Sequence, residues 1–481
     1  MIEKFTMMAM ALALTAGAVG EAAVSSADTP ATSALGWGAC LGGGGVDGME
    51  CATLNVPLDW TNPAGRQVTL TLGRLRADGP TPAEGSVLVN YGGPGVPGVD
   101  AMRDRTLSPG SQPFAALRQK MNIVTWNPRG YQALVDSSCL SKGPARRQPD
   151  LPRSQAEFDQ LAATNRATAD VCRNQDPDLF DHMDSLTNAH DMEAIRQALG
   201  ERQLNLYMGS YGSVYGETYA GTYPDRVRTM VIDGGGDHTT EFGRAQAALA
   251  RDNAVRMARF TGWCASDASC ALHGLDVPAL WQNLVAKADR APIPAPSAHV
   301  QFTGWTLREL ASGRLIRGDS SDWGKLAQDI KAADAGDASG FAQSPQHPYP
   351  AIGYPVAECR DWPRPTSFQQ LTATVARLDR VDENMGAAGT IVASSLACVG
   401  WPASLDNPPR PLPATLPPLL GVGTWTDYPA TSRVVGQVPG SASVYHDGYG
   451  HELYASGNAC VIARVDTYFT DRVLPTAGTE C

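Results

Sequence analysis

Lysine is scarce in this 481-residue chain, at six residues, and no basic run occurs. Lys and Arg total 38 against 49 Asp and Glu, a formal net charge of −11. That balance excludes a protein that tracks a phosphate backbone, so no nucleic-acid partner is expected. An acidic surface favours instead a substrate carrying a free amino group. There is no CxxC couple and no HExxH, so no zinc site is expected. Gly43, Gly45 and Gly48 satisfy GxGxxG in form, but no strand precedes them and no helix follows, which discards a dinucleotide site. After residue 27 no stretch reaches eighteen consecutive apolar residues, so no membrane anchor is expected. No internal repeat is visible.

What is present is enough apolar residue, 43%, for a sizeable core. The length allows two or three domains, or one large domain carrying an insertion. Residues 1–27 open with Lys4, continue uncharged over 5–19 and end in small residues, which reads as a secretory signal peptide. The ten cysteines are Cys40, Cys51, Cys139, Cys172, Cys264, Cys270, Cys359, Cys398, Cys460 and Cys481. An even number spread along the chain fits five disulfides and an oxidising, extracellular location. Sequential pairing is the simplest connectivity. Residues 40–51 read as a flexible, Gly-rich disulfide loop.

Strand patterns occur at 68–76, 86–90 and 122–127, and a helical pattern at 191–199 stops at Gly200. A strand at 204–208, a helix at 212–222 and a strand at 229–233 follow. The alternation implies a parallel α/β sheet. From 238 to 350 the character becomes helical, with helices expected at 240–260, 277–291, 306–316 and 321–333. Pro-rich stretches bound this block. Strands at 419–423 and 442–446 and a helix at 459–470 close the chain. The polar segment 136–181 yields no element.

The strand at 204–208 runs into Gly209-Ser210-Tyr211-Gly212 and directly into a helix. A sharp strand-turn-helix presents a serine hydroxyl at the sheet edge, which makes Ser210 a candidate nucleophile. Met208 stands where G-x-S-x-G has its first glycine. Gly212, Gly216 and Ala220 recur every four residues, a small face for close packing on the sheet. Upstream, Asn90-Tyr91-Gly92-Gly93-Pro94-Gly95 follows a strand and exposes backbone N–H groups. Gly93 and Tyr211 are the candidate oxyanion donors. Downstream, Tyr449-Gly450-His451 follows the last strand, and His451 is the candidate general base, with His446 its nearest rival. Asp427 is the candidate orienting acid, and Asp447 its rival. The order Ser210, Asp427, His451 is that of the α/β-hydrolases. The expected organisation is a leader at 1–27 and an α/β-hydrolase core at 28–237 and 351–481. A helical cap is expected at 238–350. This chemistry calls for no metal or organic cofactor.

On these residues the chain resembles the secreted tripeptidyl aminopeptidases, the large extracellular relatives of proline iminopeptidase. Further matching stretches are Val56-Pro57-Leu58-Asp59-Trp60, Asn127-Pro128-Arg129-Gly130, Asp191-Met192-Glu193 with Arg196, and Pro224-Asp225-Arg226-Val227 leading to Val231-Ile232-Asp233-Gly234. The resemblance implies a serine exopeptidase releasing short peptides from free N-termini, and supports the sequential disulfide pairing. Three positions depart from the family: Met208, Tyr131-Gln132 after the Arg-Gly pair, and an acid shifted by one residue to Asp427. An esterase of the same fold, and a non-enzymatic secreted binding protein on that fold, are the alternatives.

Overall fold

The computed structural model describes residues 35–40, 48–81, 83–107, 112–130, 150–342 and 353–481. The expected leader, Tyr131-Gln132 and Cys139 lie outside them. The elements of the described residues begin with β1 (Gly38–Ala39), β2 (Met49–Pro57), β3 (Gln67–Leu75), β4 (Ser86–Asn90), α1 (Gly98–Leu107) and β5 (Asn122–Trp126). They continue with α2 (Gln155–Arg173), α3 (Pro177–Phe180), α4 (Ser185–Ala198), β6 (Leu204–Gly209), α5 (Gly212–Thr222) and β7 (Val227–Asp233). A helical stretch follows: α6 (Phe242–Ser266), α7 (Val277–Arg290), α8 (Gly304–Arg317), α9 (Ser320–Asp334) and α10 (Ser339–Ala342), with a hairpin of β8 (Ile293–Ala295) and β9 (Val300–Phe302). Then come α11 (Gly353–Asp361), α12 (Phe368–Asp379), α13 (Ile391–Leu396), β10 (Leu420–Thr424), α14 (Tyr428–Val435), β11 (Ala442–His446) and α15 (Ala459–Asp471).

Nine of the described strands form one sheet in the order β1-β2-β3-β5-β4-β6-β7-β10-β11. Pairing is antiparallel from β1 to β5 and parallel from there on. The chemistry of the strands follows their place. β4, β6 and β10 are buried at every residue, as parallel strands covered on both faces must be. In β6, Leu206 and Met208 join Met192, Ile195, Tyr215 and Tyr219 of α4 and α5 on one face. Tyr207 joins Val461, Val465 and Tyr468 of α15 on the other. The helical stretch packs a core of its own around Phe260, Trp281, Leu284, Trp323 and Ile330.

The expected α/β sheet is present, and several elements differ from those expected. Residues 49–57 form strand β2, with Cys51 in it opposite Gly38, so the end of the expected loop at 40–51 is strand, and 41–47 lie outside the described residues. The segment without an expected element holds α2 and α3. Helices also continue beyond residue 350, as α11 to α13. Four of the expected cysteine pairs are bonded: Cys40–Cys51, Cys264–Cys270, Cys359–Cys398 and Cys460–Cys481. Of the fifth pair, Cys172 is buried on α2.

Candidate active site

Ser210 leaves the C-terminal end of β6 at φ +51°, a left-handed backbone that a serine adopts only when its surroundings demand it. The demand is local. Its N–H donates to the Asp233 carbonyl at 3.1 Å, while its own carbonyl accepts from Ser213 N at 3.0 Å as α5 begins. The departure at Met208 is absorbed beneath the turn. Met208 is fully buried, and its Cγ lies 2.6 Å from where a Cβ on Gly216 would stand. The missing side chain on α5 is the room that the methionine uses.

The loop after β4 lies against this elbow. A Cβ on Gly92 would come within 2.7 Å of both Ser210 Cβ and Tyr211 N, so only glycine permits the approach. Asn90 Oδ1 accepts from Gly92 N at 2.8 Å and shapes the turn. The amides of Gly93 and Tyr211 make no hydrogen bond to protein among the described residues.

His451 Nδ1 lies 3.0 Å from Asp427 Oδ2. Asp427 precedes α14 and turns its other oxygen to Thr424, accepting from the amide at 2.7 Å and the hydroxyl at 3.1 Å. Both members of the pair seat on Gly234, at φ +65°, where a Cβ would lie 2.8 Å from Asp427 Oδ2 and from His451 Nδ1. The residue before it, Asp233, is the one that binds Ser210 N, so elbow, acid and histidine meet at one edge of the sheet. Asp447 is turned elsewhere, 2.9 Å from Arg259 Nη2 and 2.7 Å from Tyr445 Oη. His446 ends β11.

Half of the His451 side chain is open to solvent (52%). Desolvation draws its pKa down, but the Asp427 hydrogen bond and the charges of Asp427, Glu452 and Asp233 outweigh it. The net displacement is upward.

Several residues here were not singled out from the sequence. Glu452, buried at φ +52°, pairs with Arg105 of α1, whose guanidinium lies over the Tyr91 ring. Arg256 of α6 donates to the Thr426 carbonyl, directly before the acid. The Tyr211 hydroxyl donates to Asp361 Oδ2 at 2.7 Å, and Asp361 also accepts from Ser185 N at 3.1 Å. Glu358, one helical turn earlier on α11, also acts on Tyr211 through its charge. Burial pushes the carboxyls of Asp361 and Glu358 up to about 7. The only readable signal for them was charge on an otherwise apolar helix.

Residues 384–481, which hold Asp427 and His451, match the family described as TAP-like protein. Residues 159–286, which hold Ser210, match the family described as alpha/beta hydrolase fold. The chain is 27% identical over 459 residues to tripeptidyl aminopeptidase of Streptomyces coelicolor, covering 90% of this chain and 82% of that one. The chain has the α/β-hydrolase fold and is similar to the tripeptidyl aminopeptidases. It is also 25% identical to serine protease Hip1 of Mycobacterium tuberculosis, over 90% of this chain and 87% of that one. Carboxylesterase B of the same species is 28% identical, over 90% and 86%. The tripeptidyl aminopeptidase and Hip1 support a serine peptidase.

Several of the stretches on which the resemblance rests form one structural unit. Arg129, fully buried, donates to Leu58 O at 2.6 Å, Pro57 O at 3.0 Å and Asp191 Oδ2 at 2.8 Å. Trp60 Nε1 donates to Asp191 Oδ1 at 3.2 Å. The ion pair ties the end of β2, the loop after β5 and α4 together. Removing one partner of such a pair costs about 3–5 kcal/mol, because the other charge is stranded in the core.

Proposed function

We propose that the protein is a secreted serine aminopeptidase that releases short peptides, tripeptides or similar, from free N-termini. Ser210 Oγ attacks the scissile carbonyl while His451 Nε2 takes its proton. His451 then returns that proton to the leaving amine, and water repeats the cycle on the acyl-enzyme. Asp427 holds the Nδ1–H and stabilises the imidazolium. The amides of Gly93 and Tyr211 receive the charge that develops on the carbonyl oxygen. The observation that carries this reading is the Asp427–His451 pair seated on Gly234, next to the residue that binds Ser210 N.

Glu358, half-buried on α11 and near enough to Tyr211 to act on it through its charge, supports a site for a substrate ammonium group. α6 supports a cap function for residues 238–350, since Arg256 and Arg259 reach the acid loop and the end of β11. The disulfides support an oxidising compartment. Among the described residues no helix is long and apolar enough to cross a membrane.

The test is a ladder of peptides offered with free and with acetylated N-termini. Short N-terminal fragments are expected from the free series alone, and efficient cleavage of the acetylated series contradicts the reading. An esterase is the second reading, favoured by the similarity to carboxylesterase B. Turnover of simple esters with none of aminoacyl amides would select it.

A further inference from the structure

We propose that Asp233 is a positioning residue that holds the general base in register with the nucleophile. Its main chain fixes Ser210, and its carboxylate fixes the loop that follows His451. The inference rests on the reading of Ser210 and His451 as the acyl-transfer pair.

Asp233 is the last residue of β7 and lies opposite Gly209 in the parallel register with β6. That register aims its carbonyl at Ser210 N, 3.1 Å away. Its side chain, 0% exposed, runs the other way. Oδ1 accepts from Leu453 N at 3.0 Å, and Oδ2 accepts from Tyr454 N at 2.8 Å and from the Tyr207 hydroxyl at 2.8 Å. Leu453 and Tyr454 follow His451 by two and three residues, across the left-handed turn at Glu452. The His451 carbonyl accepts from Ser456 Oγ at 2.7 Å, so the loop is closed from both sides. One residue therefore spans the nucleophile turn and the base loop, and its neighbour Gly234 seats the His451–Asp427 pair.

The donor set explains why an acid stands there. Two backbone N–H groups and a phenol converge on it, and only a carboxylate accepts at both oxygens without offering a hydrogen back. Asparagine would turn an NH₂ toward one of the amides and leave both buried donors unpaired. The acid is retained at a cost: burial pushes its pKa up to about 7, against the hydrogen bonds from Tyr207 and Tyr454. A core position that served packing alone would gain nothing from a group so expensive to bury.

Charge supplies a second readout. His451 faces Asp427 from the loop before α14, Glu452 from its own loop, and Asp233 from β7. Arg105 of α1 pairs with Glu452. Asp233 in turn faces Tyr207 of β6, Glu452 and Asp427. Removing the Asp233 charge removes one of the influences that favour imidazolium, so the His451 midpoint must fall.

The experiment compares wild type, Asp233→Asn, Tyr207→Phe and Ser210→Ala as full chains. Labelling by a fluorophosphonate is followed across pH, with kcat and KM on an aminoacyl amide. Asp233→Asn is expected to lose about a hundredfold in kcat and labelling rate, the scale of a 1 Å misplacement, while KM stays within about threefold. Its labelling midpoint is expected at lower pH than that of wild type. A folded Asp233→Asn with the wild-type rate and midpoint, or with a lowered Tm and nothing else, overturns the proposal. If that variant does not fold, Tyr207→Phe decides, since it loosens only the third bond. A fall in kcat of about threefold to tenfold at unchanged KM supports the proposal, and wild-type kcat overturns it. Ser210→Ala separates the two levels: if it still labels, the acyl-transfer reading itself fails.

Discussion

Asp427 Oδ2 lies 3.0 Å from His451 Nδ1, while Asp447, four residues before that histidine, is held by Arg259 and Tyr445. The turn that carries the acid is closed on itself: Thr424 and Thr426 bond to each other at 2.8 Å, and the Asp427 carboxylate closes back on Thr424. Asp427→Asn is expected to lower kcat by about 10⁴, the scale set by loss of the correct tautomer. Asp447→Asn is expected to cost less than about tenfold, since it removes only an exposed pair. Steady-state kinetics on one amide substrate measures both, and the reverse ranking would move the acid to Asp447.

The pH profile follows from the upward displacement of His451. Only neutral imidazole takes the Ser210 proton, so reactivity rises as pH climbs through the His451 pKa. Because that pKa sits above the ordinary 6.5, the midpoint of fluorophosphonate labelling is expected above 6.5. Asp427→Asn removes both the hydrogen bond and the charge, and is expected to bring the midpoint down. A wild-type midpoint below the ordinary value would contradict this electrostatic picture.

Much of the sheet was legible because its central parallel strands are buried at every position and mostly apolar. The ranges of β4, α5 and β11 coincide with those expected, since Asn90, Gly212 and His446 each mark a change of character. α2 was not legible, although Ser154 and Glu157 carry the signature of a helix start, with Ser154 Oγ accepting from Glu157 N at 3.2 Å. Its buried face includes Asn165, whose amide donates to Leu396 O and Val399 O at 2.9 Å each, so the face reads as polar. The role of Asp233 was hidden in the same way. An acid that ends an apolar strand looks like a turn residue until the loop from 220 residues later supplies its donors.

The cysteines make a covalent prediction. With Cys139 and Cys172 paired as the sequence leads one to expect, thiol titration of the denatured, unreduced protein finds no free thiol. Finding two would contradict that fifth bridge. Each structural bridge is worth about 2–5 kcal/mol, so reduction should lower Tm clearly.

Glu358 bears on substrate choice. Its side chain faces Asp361 and Tyr211 with burial holding its carboxyl at about 7. Glu358→Gln is expected to raise KM for peptides with a free N-terminus by about tenfold or more, the worth of one charge-assisted hydrogen bond. The fluorophosphonate, which has no ammonium group, should label this variant at the wild-type rate. An unchanged KM would assign the ammonium to another group.

The central claim is that Ser210 is the nucleophile of a serine hydrolase, and mass spectrometry tests it most directly. The full chain is treated with a fluorophosphonate, digested, and searched for the modified residue. One adduct per chain is predicted, on Ser210, in wild type and not in His451→Ala under the same exposure. No adduct, or an adduct on another serine with Ser210 untouched, would contradict the account.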